Sequence, residues 1–229
     1  FPKYVKNIAV IGFFSILLFV GLKNYKDYGV GVDEPVERMN GAVSLNYLAD
    51  LFQISSLQKN VNLSIFRELE LSTYKDRDYP VAFNLPAVFL EQLLGIEDQQ
   101  QIYFFRHLLN YLICLFGVYA LYRLAQRRYQ NWRIGLLAAT FFVLSPRLFP
   151  EFFYNSKDLI FLTFFVLGAN TLVKYSLNPS RLNSLLHAAM TALAINIRIM
   201  GVLLVVVTIA IILIKLFKAQ RDKGSIFSS

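Results

Sequence analysis

The strongest indication of the fold class lies in residues 199–216, which read IMGVLLVVVTIAIILIKL. About 20 predominantly apolar residues in helical form cross a bilayer, and Lys215 is the single charge in this stretch. Other apolar blocks precede it, at 8–22, 102–124, 134–148, 159–173 and 182–197. Together the blocks predict an all-α polytopic membrane protein with about six transmembrane helices.

The composition agrees with a membrane domain. Of the 229 residues, 56% are hydrophobic and 17% are charged, against about 25% charged in an ordinary soluble domain. The apolar residues come in blocks bounded by charge, which predicts one membrane domain over residues 1–229. A single cysteine, Cys114, and two histidines exclude a disulfide framework and a zinc-type cluster. Any metal would therefore need carboxylate ligands.

The distribution of the formal charge of +8 excludes a nucleic-acid surface and predicts an orientation. Lys and Arg do not form one stripe but punctuate the apolar blocks. With a cytoplasmic N-terminus, the short outer turns hold Arg147, Lys157 and Arg198. The inner segments then hold Lys3, Lys6, Arg123, Arg127, Arg128, Arg133, Lys174, Arg181, Lys215, Lys218, Arg221 and Lys223. The positive-inside rule accordingly places the long segment 23–101 outside, in periplasm, lumen or cell exterior.

The outer loop, residues 23–101, has the pattern of a folded cap over the bundle. Apolar residues at helical spacing occur at 36–52, 62–71 and 82–94, with charged residues between them. Helices of this kind commonly lie in the membrane interface. We therefore predict interfacial helices within the loop.

Two adjacent acids, Asp33 and Glu34, stand near the start of the outer loop in the sequence VDEPVE, residues 32–37. Pro35 suits the first turn of a helix, where acids cap the backbone and complement the helix dipole. Acids that emerge beside the membrane surface also suit proton transfer from a substrate. Capping and catalysis both stay open at this point.

A second polar segment, FPEFFYNSKD at residues 149–158, connects two short apolar blocks. Charge next to a membrane is costly unless it is paired or functional. One interpretation is that Lys157 extends toward the headgroups while Asp158 caps the next helix. The other is that Glu151, Lys157 and Asp158 belong to a site.

Two more basic residues, Arg106 and Arg198, are predicted on the outer side, where the positive-inside rule disfavours them. They bind either lipid headgroups or an anionic substrate. Acids on two loops beside cations at helix ends suit transfer from a lipid-linked phosphosugar. A carboxylate would take the proton of an acceptor hydroxyl while cations stabilise the departing phosphate. Because phosphate is a good leaving group, no second carboxylic acid is required to protonate it.

In these segments the chain resembles the GT-C membrane glycosyltransferases, specifically the dolichyl-phosphate-mannose protein mannosyltransferases and the aminoarabinose transferases. The resemblance rests on the predicted topology and on the order of Asp33-Glu34, Asp78-Tyr79-Pro80, Arg106-His107, Ser145-Pro146-Arg147, Asn155-Ser156-Lys157-Asp158 and Arg198-Ile199-Met200-Gly201. It implies a GT-C-like fold and transfer of a sugar, with inversion, from a polyprenyl-phosphate donor. The acceptor would be a hydroxyl of a protein, glycan or lipid at the outer membrane face.

The resemblance also implies roles for individual residues. Asp33 would be the catalytic base and Glu34 its partner. The donor phosphate would be bound by cations, namely Arg106, Lys157 and Arg198. The acceptor site, or a divalent metal, would be shaped by carboxylates, namely Glu151 and Asp158. The metal would be Mg²⁺ or Mn²⁺, although the same carboxylates could act without one.

Two other functional classes stay open beside the enzyme. One is a transporter or flippase of a lipid-linked sugar, and the other is a non-catalytic membrane subunit. Transporters place functional charge near the bilayer midplane, often in repeated halves. Here the charges lie at predicted helix ends and the sequence shows no repeat, which favours the enzyme. Family members extend through further spans beyond the position of Ser229, so we expect a truncated, split or subunit-dependent version, or a fragment with no activity of its own.

Overall fold

The computed structural model describes residues 3–58, 63, 66 and 68–226, with only the backbone described for Lys3 and for 221–226. Every regular element in this part of the chain is a helix, which confirms the all-α prediction. The helices are α1 (Lys3–Asn24), α2 (Glu34–Leu51), α3 (Ser55–Gln58), α4 (Asn84–Leu93), α5 (Gln99–Tyr129), α6 (Trp132–Val143), α7 (Leu148–Tyr154), α8 (Asp158–Leu177), α9 (Arg181–Ile197) and α10 (Val202–Ile226), with a 3₁₀ turn at Ile199–Gly201 before α10. Several residues of the helix predicted at 62–71 lie outside the described residues.

Four helical segments within the described residues are long and apolar enough to cross a membrane, which confirms a polytopic membrane protein. They are Tyr4–Asn24, Gln99–Tyr129, Asp158–Leu177 and Ile199–Gln220. The pair α6 and α7 would count as a fifth span, broken by a bend of 72°. Pro146 lies in this break, where a missing backbone N–H and a fixed φ angle interrupt a helix.

The predicted number of six spans exceeds this count because of α9. With 17 residues, α9 is about 26 Å long, short of a hydrocarbon core of about 30 Å. It nevertheless contacts α8 along its length. His187 lies against Gly168 of α8, and Arg198, directly after α9, contacts Asp158 at the start of α8. The helix therefore packs antiparallel to α8.

The helices alternate in direction, so the bundle has two distinct ends. The loop end is where α1 ends, α5 and α8 begin, and α9 ends. Tyr111 of α5 donates a hydrogen bond of 2.6 Å to the Leu17 carbonyl of α1, which pairs these helices in opposite directions. The basic end is the other one, where α5 passes into α6 and α8 passes into α9. Basic residues predicted inside, such as Arg127 and Arg181, lie there.

Aromatic packing closes the bundle beneath the loop end. The Tyr111 ring stacks on Phe153 of α7 with a centroid distance of 4.7 Å, and Phe153 stacks in turn on Tyr28 at 4.3 Å. Gly21 of α1 lies against the Tyr111 ring, and a side chain there would overlap it. The segment that follows α1 is therefore held onto α7 by a buried aromatic column.

The outer loop forms a cap built on α2 and α4. Its buried apolar residues come from both helices and from the segment between them: Ala42, Leu45, Ala49, Leu57, Leu63 and Val88. The helices cross closely at Gly41, where an added Cβ would lie 2.6 Å from the Asn84 carbonyl oxygen. The helical patterns at 36–52 and 82–94 thus correspond to helices of the structure, whereas their place in the membrane interface stays a prediction.

We predict that Gly41→Ala destabilises the protein by about 1–3 kcal/mol, because overpacking a close helix crossing forces the backbones apart. Gly12→Ala is the matched control, since Gly12 is also helical but an added Cβ meets nothing within 4 Å. The measurement is thermal unfolding of both variants in the same detergent. Equal unfolding midpoints for Gly41→Ala and the wild type would contradict the close crossing.

Candidate functional site

The charged residues singled out in the sequence gather at the loop end. They come from the start of α2, the first turns of α5, the turn between α7 and α8, and the segment after α9. Two of these helix starts are set by polar caps. Asp98 accepts from the Gln101 N–H at 2.9 Å before α5, and Asn155 accepts from the Asp158 N–H at 2.7 Å before α8. The start of α2 has no side-chain cap.

Asp33 precedes α2 and its carboxylate is exposed. It makes no side-chain capping bond, and in the described part of the chain it has no hydrogen-bonding or ion-pair partner. Its backbone is nearly helical, with φ −84° and ψ −19°, and its carbonyl accepts from the Glu37 N–H at 2.9 Å. Capping by the Asp33 side chain, one of the two interpretations, is therefore not what the structure shows. The carboxylate is free to meet a substrate.

Glu34, the neighbouring acid, is buried and holds the loop in place. Its Oε2 accepts the Gly31 N–H at 2.7 Å and lies 3.2 Å from His107 Nε2 of α5. The other ring nitrogen of His107 lies 3.2 Å from the Tyr25 carbonyl oxygen. Glu34 and His107 thus tie both ends of the segment 25–34 to α5. The two acids predicted as a catalytic pair occupy different environments, one exposed and one buried.

Lys157 directly precedes α8 and reaches α2. Its Nζ lies 3.2 Å from Glu37 Oε1 and 4.7 Å from the centroid of the Tyr79 ring. The side chain is 25% exposed, which leaves the ammonium accessible. Asp33 precedes Glu37, the partner of this ammonium, by one helical turn along the chain.

Arg198 and Asp158 form an ion pair beside Lys157. Asn155, rather than Asp158, accepts hydrogen bonds from the first backbone N–H groups of α8. The side chain of Asp158 therefore does not cap the helix but pairs with Arg198. Both partners are partly exposed, at 37% and 54%. Two accessible cations, Lys157 and Arg198, therefore meet at the start of α8, each balanced by a carboxylate.

Glu151 lies on α7, at the edge of this group. Its Oε2 accepts from Asn155 Nδ2 at 3.1 Å, and its Oε1 lies 3.8 Å from Arg147 Nε. These contacts place Glu151 next to Asn155, the residue that caps α8. Its expected role at the acceptor stays a prediction.

Arg106 lies inside the protein, with 1% of its side chain exposed. Its Nη1 lies 2.8 Å from Glu91 Oε1, and its Nη2 donates to Asn84 Oδ1. Glu91 also binds Arg38 of α2, with 2.9 Å between Oε2 and Nε. A phosphate could reach the Arg106 guanidinium only after α4 moved away. Its role as a phosphate ligand stays a prediction, and the buried geometry favours a positioning role.

Four residues of this network had no role assigned from the sequence: Glu37, Arg38, Asn84 and Glu91. The side-chain amide of Asn84 accepts from Arg106 through its oxygen and donates through Nδ2 to Glu37 Oε2, with a donor–acceptor distance of 2.6 Å for the second bond. The network is therefore continuous from Lys157 to Arg38. Two of these residues have a local feature in the sequence that could have identified them. Glu91 interrupts an apolar stretch at helical spacing, and Glu37 follows the acidic pair by one helical turn.

Tyr74, in the loop between α2 and α4, is buried, and burial changes the pKa of its phenol. Burial, and secondarily the charges of Asp76 and Glu37, raise the pKa of its phenol above the ordinary value. The phenol stays protonated and donates a hydrogen bond of 2.7 Å to Asn40 Oδ1. Asn40 belongs to α2, so this bond helps to hold the loop between α2 and α4 onto the cap.

The carboxylates do not gather as a metal site. In the ranges that the structure describes, no group of three or more His, Cys, Asp or Glu side chains is close enough to hold a metal ion. Glu34 contacts His107, and Asp158 contacts Arg198. The Mg²⁺ or Mn²⁺ ion stays a prediction.

We predict that Glu91→Gln lowers the free energy of unfolding by about 3–5 kcal/mol, because two buried guanidinium groups lose their shared counter-charge. Glu97→Gln makes the same change of charge at an exposed position before α5 and should leave stability unchanged. The measurement is chemical unfolding in detergent. A Glu91→Gln variant as stable as Glu97→Gln would contradict the network.

Comparison with known protein families gave a match that covers most of the chain. The family model of the Alg9-like mannosyltransferases matches residues 75–228. This range includes α4 to α10 and the residues Arg106, Glu151, Lys157, Asp158 and Arg198, whereas Asp33 and Glu34 precede it. Searches of curated proteins and of solved structures gave no significant match.

Proposed function

Since the chain belongs to the Alg9-like mannosyltransferase family, we propose that it transfers mannose from a polyprenyl-phosphate donor to an acceptor hydroxyl at the loop end. Membership of this family supports a membrane glycosyltransferase with a lipid-linked mannose donor. The observation that carries the finer proposal is the free Asp33 carboxylate, which starts the same helix turn as Glu37, the partner of Lys157. The proposal thus combines a base and a phosphate-binding cation at the same end of the bundle.

Asp33 is the proposed general base. Its carboxylate takes the proton of the acceptor hydroxyl while the acceptor oxygen forms a bond to C1 of mannose. The bond between C1 and the phosphate oxygen breaks, and its electron pair leaves with the polyprenyl phosphate. A single displacement of this kind inverts the configuration at C1 and needs no covalent intermediate with the protein.

Lys157 and Arg198 are the proposed ligands of the departing phosphate. Cations placed where charge develops stabilise the transition state more than the ground state. Both side chains are partly exposed, and both lie at the start of α8. Asp158 positions Arg198, and Glu151 supports the turn through Asn155. The acceptor, whether a protein, a glycan or a lipid, approaches from the side of the outer loop.

Glu34 and His107 are proposed as positioning residues rather than as reacting groups. Glu34 is buried and binds the backbone of Gly31, two residues before Asp33. Together with His107 it fixes the segment 25–34 on α5. The loop therefore offers Asp33 at one defined place, which proton transfer over a short distance requires.

We predict that Asp33→Asn lowers the rate of transfer by about 10²–10⁴-fold, the range that a positioned general base contributes. The control is Asp27→Asn, an exposed acid in the same loop, which should transfer at the wild-type rate. The measurement is transfer of labelled mannose from polyprenyl-phosphate donors to mixed acceptors in proteoliposomes.

The outcome separates the three functional classes. Loss of transfer in Asp33→Asn with wild-type activity in Asp27→Asn supports the enzyme and its base. Movement of the intact donor between leaflets without transfer would identify a lipid transporter. A folded wild-type chain with neither activity would indicate a non-catalytic subunit.

The loop end is proposed to face away from the cytoplasm, as the positive-inside rule requires. We predict that Val32→Cys, at a residue 94% exposed, reacts with an impermeant maleimide added to sealed membranes on the side away from the cytoplasm. Tyr129→Cys, at the exposed end of α5, should react only after permeabilisation. Because Cys114, the native cysteine, is buried, the background should be low. The reverse labelling pattern would overturn the orientation.

A further inference from the structure

We propose that Glu37 occupies the place of the donor phosphate at Lys157 in the donor-free enzyme, and that the phosphate displaces it. This inference rests on the proposed function. It assigns Glu37 as a positioning residue, one that sets the affinity for donor and product phosphate without taking part in bond making. No covalent step is involved, since one anion replaces another on the same ammonium.

The two carboxylate oxygens of Glu37 have separate partners. Oε1 lies 3.2 Å from the Lys157 ammonium, and Oε2 accepts from Asn84 Nδ2 at 2.6 Å. If Lys157 turns to another anion, Glu37 keeps its hydrogen bond to Asn84. The carboxylate is then not left without a partner, which would be costly in a buried position.

The network behind Glu37 is buried and linked by hydrogen bonds and ion pairs. Asn84 accepts from Arg106, and Glu91 lies between Arg106 and Arg38. Glu91 is fully buried, at 0% exposure, and Arg38 is close to it at 6%. Movement at this site is therefore expected from Lys157, whose stem is long and whose ammonium is partly exposed, rather than from Glu37.

The charges of the network favour a bound anion. Three cations, Arg38, Arg106 and Lys157, face two carboxylates, Glu37 and Glu91, which leaves one formal positive charge in excess. A sugar phosphodiester carries one negative charge, and it would bring the group to neutrality. The product, a phosphate monoester, carries up to two negative charges and would bind still more strongly.

Competition by Glu37 would therefore assist release of the product. Without the carboxylate, Lys157 would hold the product phosphate and delay the next turnover, since product release limits many enzymes. The Tyr79 ring, whose centroid lies 4.7 Å from the ammonium, is a second neighbour of the same side chain.

The test is binding of polyprenyl phosphate, measured by calorimetry, together with donor kinetics in proteoliposomes. Glu37→Gln keeps an oxygen for Asn84 but removes the charge that competes for Lys157. We expect both the Kd for polyprenyl phosphate and the KM for the donor to fall about fivefold, as for the loss of one competing ion pair. Glu97→Gln, the exposed control, should change neither.

Lys157→Gln supplies a second and independent measurement. It should raise the Kd for polyprenyl phosphate about tenfold, as expected for loss of a charge-assisted contact. In this background the additional substitution Glu37→Gln should have no further effect on Kd. A Glu37→Gln variant that binds the phosphate no more tightly than the wild type would overturn the inference. Should that variant not fold, an unchanged Kd in Lys157→Gln would overturn it.

Failure of the inference differs from failure of the proposed function. The binding measurement needs no turnover and can be repeated in Asp33→Asn, where the base is absent. Transfer that persists in Asp33→Asn contradicts the proposed base but leaves the effect of Glu37 on phosphate binding to be decided by Kd. An unchanged Kd in Glu37→Gln, with transfer lost in Asp33→Asn, removes the inference alone.

Discussion

The bridge from Glu91 to two arginines is the interaction on which the arrangement of the loop end depends. A buried carboxylate requires compensating charge and hydrogen bonds, and a buried guanidinium requires the same. Glu91 of α4 satisfies Arg38 of α2 on one oxygen and Arg106 of α5 on the other. The cap can therefore dock on the bundle in one register, because any shift would leave a charge without its partner.

This register determines where the reactive groups lie. Once α2 is fixed by Arg38, its first turn presents Glu34 to His107 and Glu37 to Lys157. The carboxylate of Asp33, one residue earlier, stays exposed. The chain thus separates two kinds of acid within five residues, with buried acids that hold the structure and an exposed acid available for chemistry. Arg106, the cation expected at the phosphate, belongs to the supporting network.

Much of this arrangement is readable from the sequence because the membrane imposes strong local constraints. The apolar blocks correspond to helices, and the charged residues at their ends gather as expected from alternating directions. Asp33, Lys157, Asp158 and Arg198 are all at the loop end. The break at Pro146 and the length of α9, which matches the block at 182–197, are also readable, whereas the bend of 72° between α6 and α7 depends on how neighbouring helices fill the space around it.

The long-range partners are not readable from one sequence. Glu91 and Arg38 are separated by 53 positions, and Glu37 and Asn84 by 47. Nothing local distinguishes an arginine that meets a buried glutamate from one that meets a substrate phosphate, since both suit the same side chain. For this reason the sequence predicts that Arg106 binds the donor phosphate, whereas in the structure its guanidinium joins α5 to Glu91 of α4.

In the proposed mechanism the donor phosphate binds beside Lys157 at the loop end while Asp33 faces the sugar. A cryo-EM structure of the protein in nanodiscs with a non-hydrolysable polyprenyl-phosphate-mannose analogue, bound to an antibody fragment, tests this arrangement most directly. We predict a phosphate oxygen within hydrogen-bonding distance of Lys157 Nζ, with Glu37 retained by Asn84. Phosphate density at the basic end, near Arg127 or Arg181, with Lys157 still on Glu37, would contradict it.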